Sequence, residues 1–92
     1  MKTVIVDFTG AKVEDDLYMV LQVALDYPSY CGKNPDALWD CLTGFIETPV
    51  SVKFKGFDSL PKDLEYEKNL IKEVFLDAEK EEWVGVYVNF ED

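Results

Sequence analysis

The sequence predicts a small α/β domain with a three-stranded parallel sheet packed with helices. Three segments have the β-branched and aromatic composition of strands, namely Thr3–Phe8, Val50–Phe54 and Trp83–Phe90. The stretches between them are roughly 40 and 30 residues long and show helical periodicity. Connections of that length are too long for hairpins and are typical of the crossovers that join parallel strands. Because 92 residues build one modest core, we expect a single domain over residues 1–92.

Apolar residues recur every three to four positions in three stretches, which indicates helices at residues 13–25, 35–44 and 62–82. The start of the second helix is the best defined. Asn34 can cap it, and Pro35 suits its first position because the N–H that proline lacks would have no partner there.

The charge balance favours a protein partner over a nucleic acid. Nineteen acidic residues face nine basic ones, and the formal net charge is −10. Binding to nucleic acid depends on cations that neutralise phosphates, so we expect no direct nucleic-acid partner. A basic protein is the natural partner of such a surface, although acidity can also serve solubility alone.

The residue types available argue against an enzyme or a metal protein. The chain has no histidine, which is the usual general base and the commonest zinc ligand. Asp36 and Asp40 lie one helical turn apart, but they project side by side instead of facing each other across a cleft. Neither this pair nor the set Glu73, Asp77 and Glu81 supplies enough oxygen ligands for a cation. We expect no catalytic residue, no metal and no cofactor.

Cysteine usage and the apolar segments favour a cytoplasmic protein. Cys31 and Cys41 do not form a disulfide framework, and we expect both thiols to be reduced. The apolar run near the N-terminus ends at Asp7, so it is interpreted as a strand and not as a signal peptide. No stretch approaches the length of a membrane span.

The second helix has two chemically distinct faces. Its apolar positions follow the spacing of a buried stripe: Leu38, Cys41, Leu42 and Phe45. The residues predicted to point toward water share the same spacing and combine acids, an indole and a hydroxyl: Asp36, Trp39, Asp40 and Thr43. Gly44 exposes backbone just beyond them. An aromatic anchor beside carboxylates that accept hydrogen bonds from Arg and Lys is typical of protein recognition.

The segment around this helix resembles the barstar family of ribonuclease inhibitors. The likeness rests on Pro28, Tyr30, Gly32 and Asn34, on the run DALWDCLTG from Asp36 to Gly44, and on Glu47 and Pro49. It extends more loosely over the whole chain. The resemblance implies a reversible, non-enzymatic inhibitor of a small basic microbial ribonuclease similar to barnase, built on a small α/β fold with a three-stranded parallel sheet.

The resemblance also implies the contact surface. In the family, the helix and the loop before it plug the nuclease active site, and the aspartate matching Asp40 takes the place of a substrate phosphate. The expected partner-binding residues are Tyr30, Asn34, Asp36, Trp39, Asp40, Thr43, Gly44, Phe45, Glu47 and Asp77. We expect the free protein to be a monomer.

Four positions depart from the family pattern. Cys31 replaces a tyrosine, Pro35 a leucine and Phe45 a tryptophan, while Asp77 is one methylene shorter than the family's glutamate. The cognate nuclease could therefore differ from barnase, for example in a toxin–immunity pair. An acidic module of the same fold that binds another basic protein is the alternative.

Overall fold

The computed structural model describes residues 1–28 and 32–90. In chain order the elements are β1 (Lys2–Asp7), α1 (Glu14–Leu25), α2 (Pro35–Gly44), β2 (Val50–Lys55), a 3-10 turn (Lys62–Leu64), α3 (Glu65–Lys80) and β3 (Val86–Phe90). The strands form a three-stranded sheet in the order β1-β2-β3, and both pairings are parallel. The predicted fold class is confirmed.

The sheet buries one face and leaves the other accessible. Side chains alternate along each strand, so the buried positions Val4, Val52 and Val86 fall on the same side. The opposite side carries Ile5 and Tyr87, both exposed. Because only one face is buried, the helices must supply the other half of the core.

The core centres on Phe54 of β2. Its ring stacks on Phe90 at a centroid distance of 5.0 Å and meets Phe75 of α3 edge-on at 4.8 Å. Phe8 lies against the same ring at 5.9 Å. These contacts join β2, β3, α3 and the residue after β1 in one cluster, which fixes α3 over the sheet.

The third helix and the third strand are both shorter than predicted. A helix over residues 62–82 was expected, but its first turn is a 3-10 turn and α3 ends at Lys80. β3 begins at Val86 and not at Trp83, because a turn at residues 82–84 and Gly85, with φ of +78°, interrupt the chain first. A positive φ is unfavourable for residues with a Cβ and is incompatible with continuous strand geometry.

A buried polar contact joins α1 to α3. Tyr18 Oη donates a hydrogen bond to Glu67 Oε1 at 2.5 Å, and the two residues are only 1% and 9% exposed. Burial, and then the hydrogen bond to Glu67, raises the pKa of the Tyr18 phenol well above its ordinary value. The apolar periodicity of α1 does not reveal this pair, because the contact spans 49 positions of sequence.

Candidate partner-binding site

The start of α2 is held by a side-chain cap. Asn34 has an extended backbone, with φ of −154° and ψ of 165°, and its Oδ1 accepts a hydrogen bond from the N–H of Ala37 at 2.8 Å. Its carbonyl oxygen accepts the N–H of Leu38 at 3.0 Å, and Pro35 occupies the first helical position. The capping prediction is therefore confirmed. The cap orients the first turn, which carries Asp36.

The inner face of α2 anchors the helix. Leu38, Cys41 and Leu42 are at most 1% exposed, and α2 packs against α3. Cys41 is buried inside the core, as its position in the apolar stripe predicted. With this face buried, α2 presents its other side as a fixed surface.

The outer face of α2 presents two carboxylates beside an indole. Asp36 and Asp40 are exposed, and as an i, i+4 pair they lie next to each other on the helix surface. Trp39 is half-buried and packs against the edge of the core, so only part of its ring remains available to a partner. Thr43 is also half-buried, and its Oγ1 donates to the carbonyl of Trp39 at 2.9 Å. Gly44 is exposed.

Phe45 does not belong to the buried stripe in which the sequence placed it. It is 55% exposed because α2 ends at Gly44 and the chain turns away from helical direction. Both Phe45 and Ile46 donate their N–H groups to the carbonyl of Cys41, at 3.0 and 3.1 Å. Ile46 then packs against the core. The ring of Phe45 is consequently an accessible apolar surface at the C-terminal end of α2.

The loop after α2 and the neighbouring helix add two further acids. Glu47 is exposed, and its Oε2 lies 3.7 Å from Lys2 Nζ at the start of β1. Asp77 is exposed on α3, the helix against which α2 packs, with its Oδ1 at 3.9 Å from Lys80 Nζ. Exposed pairs of this kind contribute little to stability, so both carboxylates can exchange their lysine for a cationic partner.

The remaining predicted site residue, Tyr30, lies outside the described residues, as does Cys31. Among residues 1–28 and 32–90, no group of three or more His, Cys, Asp or Glu side chains could hold a metal ion. Across the same residues, no helix combines the length and the apolar character that a membrane crossing requires.

The exposed helix face of this small acidic α/β protein combines carboxylates with an indole, a composition typical of surfaces that bind other proteins. The model of the family described as Barstar (barnase inhibitor) matches residues 1–91. The chain is also 35% identical, over 81 residues, to a Bacillus subtilis (strain 168) protein named "Putative ribonuclease inhibitor YrdF", with 88% of this chain and 89% of the relative covered. The chain belongs to the barstar family.

This membership confirms the resemblance predicted from the sequence. The family description and the name of the relative both designate inhibitors and not enzymes, which confirms the prediction of a non-enzymatic protein. The match covers nearly the full chain, so it includes α2, the loop after it and α3.

Proposed function

We propose that this protein inhibits a small basic ribonuclease of the barnase type by covering its active site. The exposed face of α2 carries the proposal, because it places Asp36 and Asp40 beside the accessible part of Trp39 on a helix fixed by its cap and its buried side. Membership of the barstar family, described as barnase inhibitors, supports the same role.

The proposed mechanism is imitation of RNA by carboxylates. A ribonuclease active site gathers cationic side chains that bind the phosphates of its substrate, and a carboxylate accepts the same charge-assisted hydrogen bonds. Asp40 is exposed near the end of α2 and takes the place of a phosphate, while Asp36 engages a second cation one turn away. Trp39 contributes apolar area and excludes water around the charged pairs.

The other predicted contacts surround this centre. Asn34 contributes from the N-terminal cap of α2, and Thr43 and Gly44 follow Asp40 along the helix. Tyr30, which precedes α2 in the sequence, is a further proposed contact. Phe45 offers its exposed ring, and Glu47 and Asp77 add carboxylates at the border.

The net charge determines how the complex forms. A formal charge of −10 attracts a basic ribonuclease over distances longer than a hydrogen bond and raises the rate of productive encounter. We propose that the free protein is a cytoplasmic monomer and that it binds one ribonuclease molecule through the surface around α2.

Inhibition of RNA cleavage tests the proposal. The protein is titrated into barnase and into a panel of other small basic microbial ribonucleases, and cleavage of a fluorogenic RNA substrate is followed. Asp40→Ala is compared with Asp63→Ala, which removes the same charge from the 3-10 turn outside the proposed surface. We expect Asp40→Ala to weaken inhibition by at least about tenfold, the effect of losing a hydrogen bond between charged groups, and Asp63→Ala to have little effect.

Stability measurements complete the test. Asp40 is exposed, repels Asp36 at i+4 and lies near the negative end of the α2 dipole, so its removal should leave thermal unfolding unchanged or slightly improved. Loss of folding in Asp40→Ala would contradict the role of Asp40 as a surface contact. If no ribonuclease of the panel is inhibited, the alternative of an acidic module for another basic protein replaces the proposal.

A further inference from the structure

An exposed tryptophan stands at the tip of the turn that connects α3 to β3. The N–H of Glu81 donates to the carbonyl of Ala78 at 3.1 Å, and the N–H of Val84 donates to the carbonyl of Glu81 at 3.0 Å. Trp83 is therefore a central residue of a closed turn. Its side chain is 69% exposed, whereas Val84 beside it is 3% exposed and belongs to the core. The buried valine holds the turn, and the indole projects from it.

This turn lies against the loop that leaves α2. The N–H of Val50 donates to the carbonyl of Gly85 at 2.9 Å. A Cβ at Gly85 would lie 3.3 Å from Thr48 Cβ and 3.4 Å from Pro49 Cα, so the two segments are in direct contact. The loop residues touched by Gly85 follow immediately after Phe45 and Glu47 of the candidate site. The turn that carries Trp83 therefore meets the chain segment that leaves that site, although the two are far apart in sequence.

We propose that Trp83 is a further contact of the ribonuclease-binding surface, one that extends the surface from α2 across the loop after it to the turn after α3. The inference rests on the proposed function. Continuity with the candidate site and the chemistry of the turn support it. Glu81 and Glu82 precede the indole and are exposed, which repeats the combination of acid and aromatic found on α2.

The partner that fits Trp83 is the same basic protein, through an arginine or lysine outside its active site. A tryptophan face binds a guanidinium or ammonium group better than the other aromatic side chains do, and neighbouring carboxylates attract that cation. Trp is also frequent among the residues that dominate protein interfaces. Since the cation lies at the border of the partner's active site, Trp83 would discriminate between ribonucleases that share catalytic residues and differ around them.

Dissociation rates of matched variants test the inference. The ribonuclease of the panel that the unsubstituted protein inhibits most strongly is used, and binding is followed for Trp83→Ala, Trp83→Phe and Tyr66→Ala. Tyr66 is the control because it is 75% exposed on α3 but lies roughly 20 Å along that helix from the end that leads to Trp83. All three substitutions are made at exposed positions, so unchanged thermal unfolding verifies that each variant is folded.

We expect Trp83→Ala to raise the dissociation rate by about tenfold, Trp83→Phe to have a smaller effect, and Tyr66→Ala to stay within about twofold of the unsubstituted protein. If the unsubstituted protein inhibits and Trp83→Ala dissociates no faster, Trp83 makes no contact and the inference is overturned while the proposed function stands. Equal losses in Trp83→Ala and Tyr66→Ala would also overturn it. If the unsubstituted protein inhibits no ribonuclease, the proposed function fails and the inference fails with it.

Discussion

The buried contact between Tyr18 and Glu67 leads to a quantitative prediction about stability. The hydrogen bond of 2.5 Å joins α1 to α3, and both residues are almost inaccessible to water. Tyr18→Phe removes the hydroxyl with little change in volume and leaves a buried carboxyl oxygen without this donor. A buried polar group that loses its partner costs about 1–3 kcal/mol, and we expect the free energy of unfolding to fall by that amount.

A double-mutant cycle shows whether the loss comes from the pair. Glu67→Leu alone should also destabilise, because it leaves the Tyr18 hydroxyl without its acceptor. Tyr18→Phe combined with Glu67→Leu replaces both partners by apolar groups, which costs far less than orphaning one of them. The free energy of unfolding lost in the double variant should therefore be smaller than the sum of the losses in the two single variants, by at least about 1 kcal/mol.

Urea denaturation followed by circular dichroism measures all four proteins. A loss below about 0.5 kcal/mol in Tyr18→Phe would refute the reasoning, because surface substitutions alone produce changes of that size. Additive losses in the double variant would equally show that the two side chains do not depend on each other.

The same pair predicts a change at alkaline pH. The pKa of Tyr18 is raised in the folded protein, first by burial and then by Glu67, so the folded state retains a proton that the unfolded state releases. The contribution of this group to stability is complete below the unfolded pKa of about 10 and is lost as the pH rises above it. The difference in free energy of unfolding between the unsubstituted protein and Tyr18→Phe should therefore become smaller above that pH. A difference that is constant with pH would contradict the assignment.

Three further predictions concern the helix ends and the charge. Asn34→Ala should lower the free energy of unfolding, measured by urea denaturation, by about 1 kcal/mol. Asn34→Ser should cause a much smaller loss because serine is also a good N-cap residue. Equal losses in the two variants would contradict the role of Asn34 as the cap. The N–H groups of Lys12 and Val13 hold the pKa of Asp16 below its ordinary value. Asp16→Asn should therefore lower the free energy of unfolding at neutral pH, and this loss should disappear in acid as the pH falls through the lowered pKa of Asp16. A loss that persists in acid would contradict the role of these hydrogen bonds. The rate of association with the ribonuclease, measured by stopped flow, should fall steeply with added salt, and a rate independent of salt would remove electrostatic steering.

Local sequence determined the elements of this fold and their order. Strand composition and the length of the connections predicted a parallel three-stranded sheet, and the structure has one. Asn34 and Pro35 set the start of α2, because a cap needs only residues that are neighbours along the chain. The same periodicity separated Leu38, Cys41 and Leu42 on the buried side from Asp36 and Asp40 on the exposed side. Each of these features depends on spacings of a few residues, which the sequence shows directly.

Only the tertiary structure decided where the aromatic side chains lie. The spacing of α2 placed Phe45 in the core, yet the helix ends at Gly44, one residue before Phe45. Ile46 packs against the core in place of Phe45. Alternation placed Trp83 in a strand, yet a turn at residues 82–84 and the positive φ of Gly85 delay the start of β3 to Val86 and leave the indole exposed.

The pairing of Tyr18 with Glu67 was equally absent from any local pattern. Such outcomes depend on which distant segments compete for the same space in the core. That competition is settled by packing between elements, which periodicity within one element does not record.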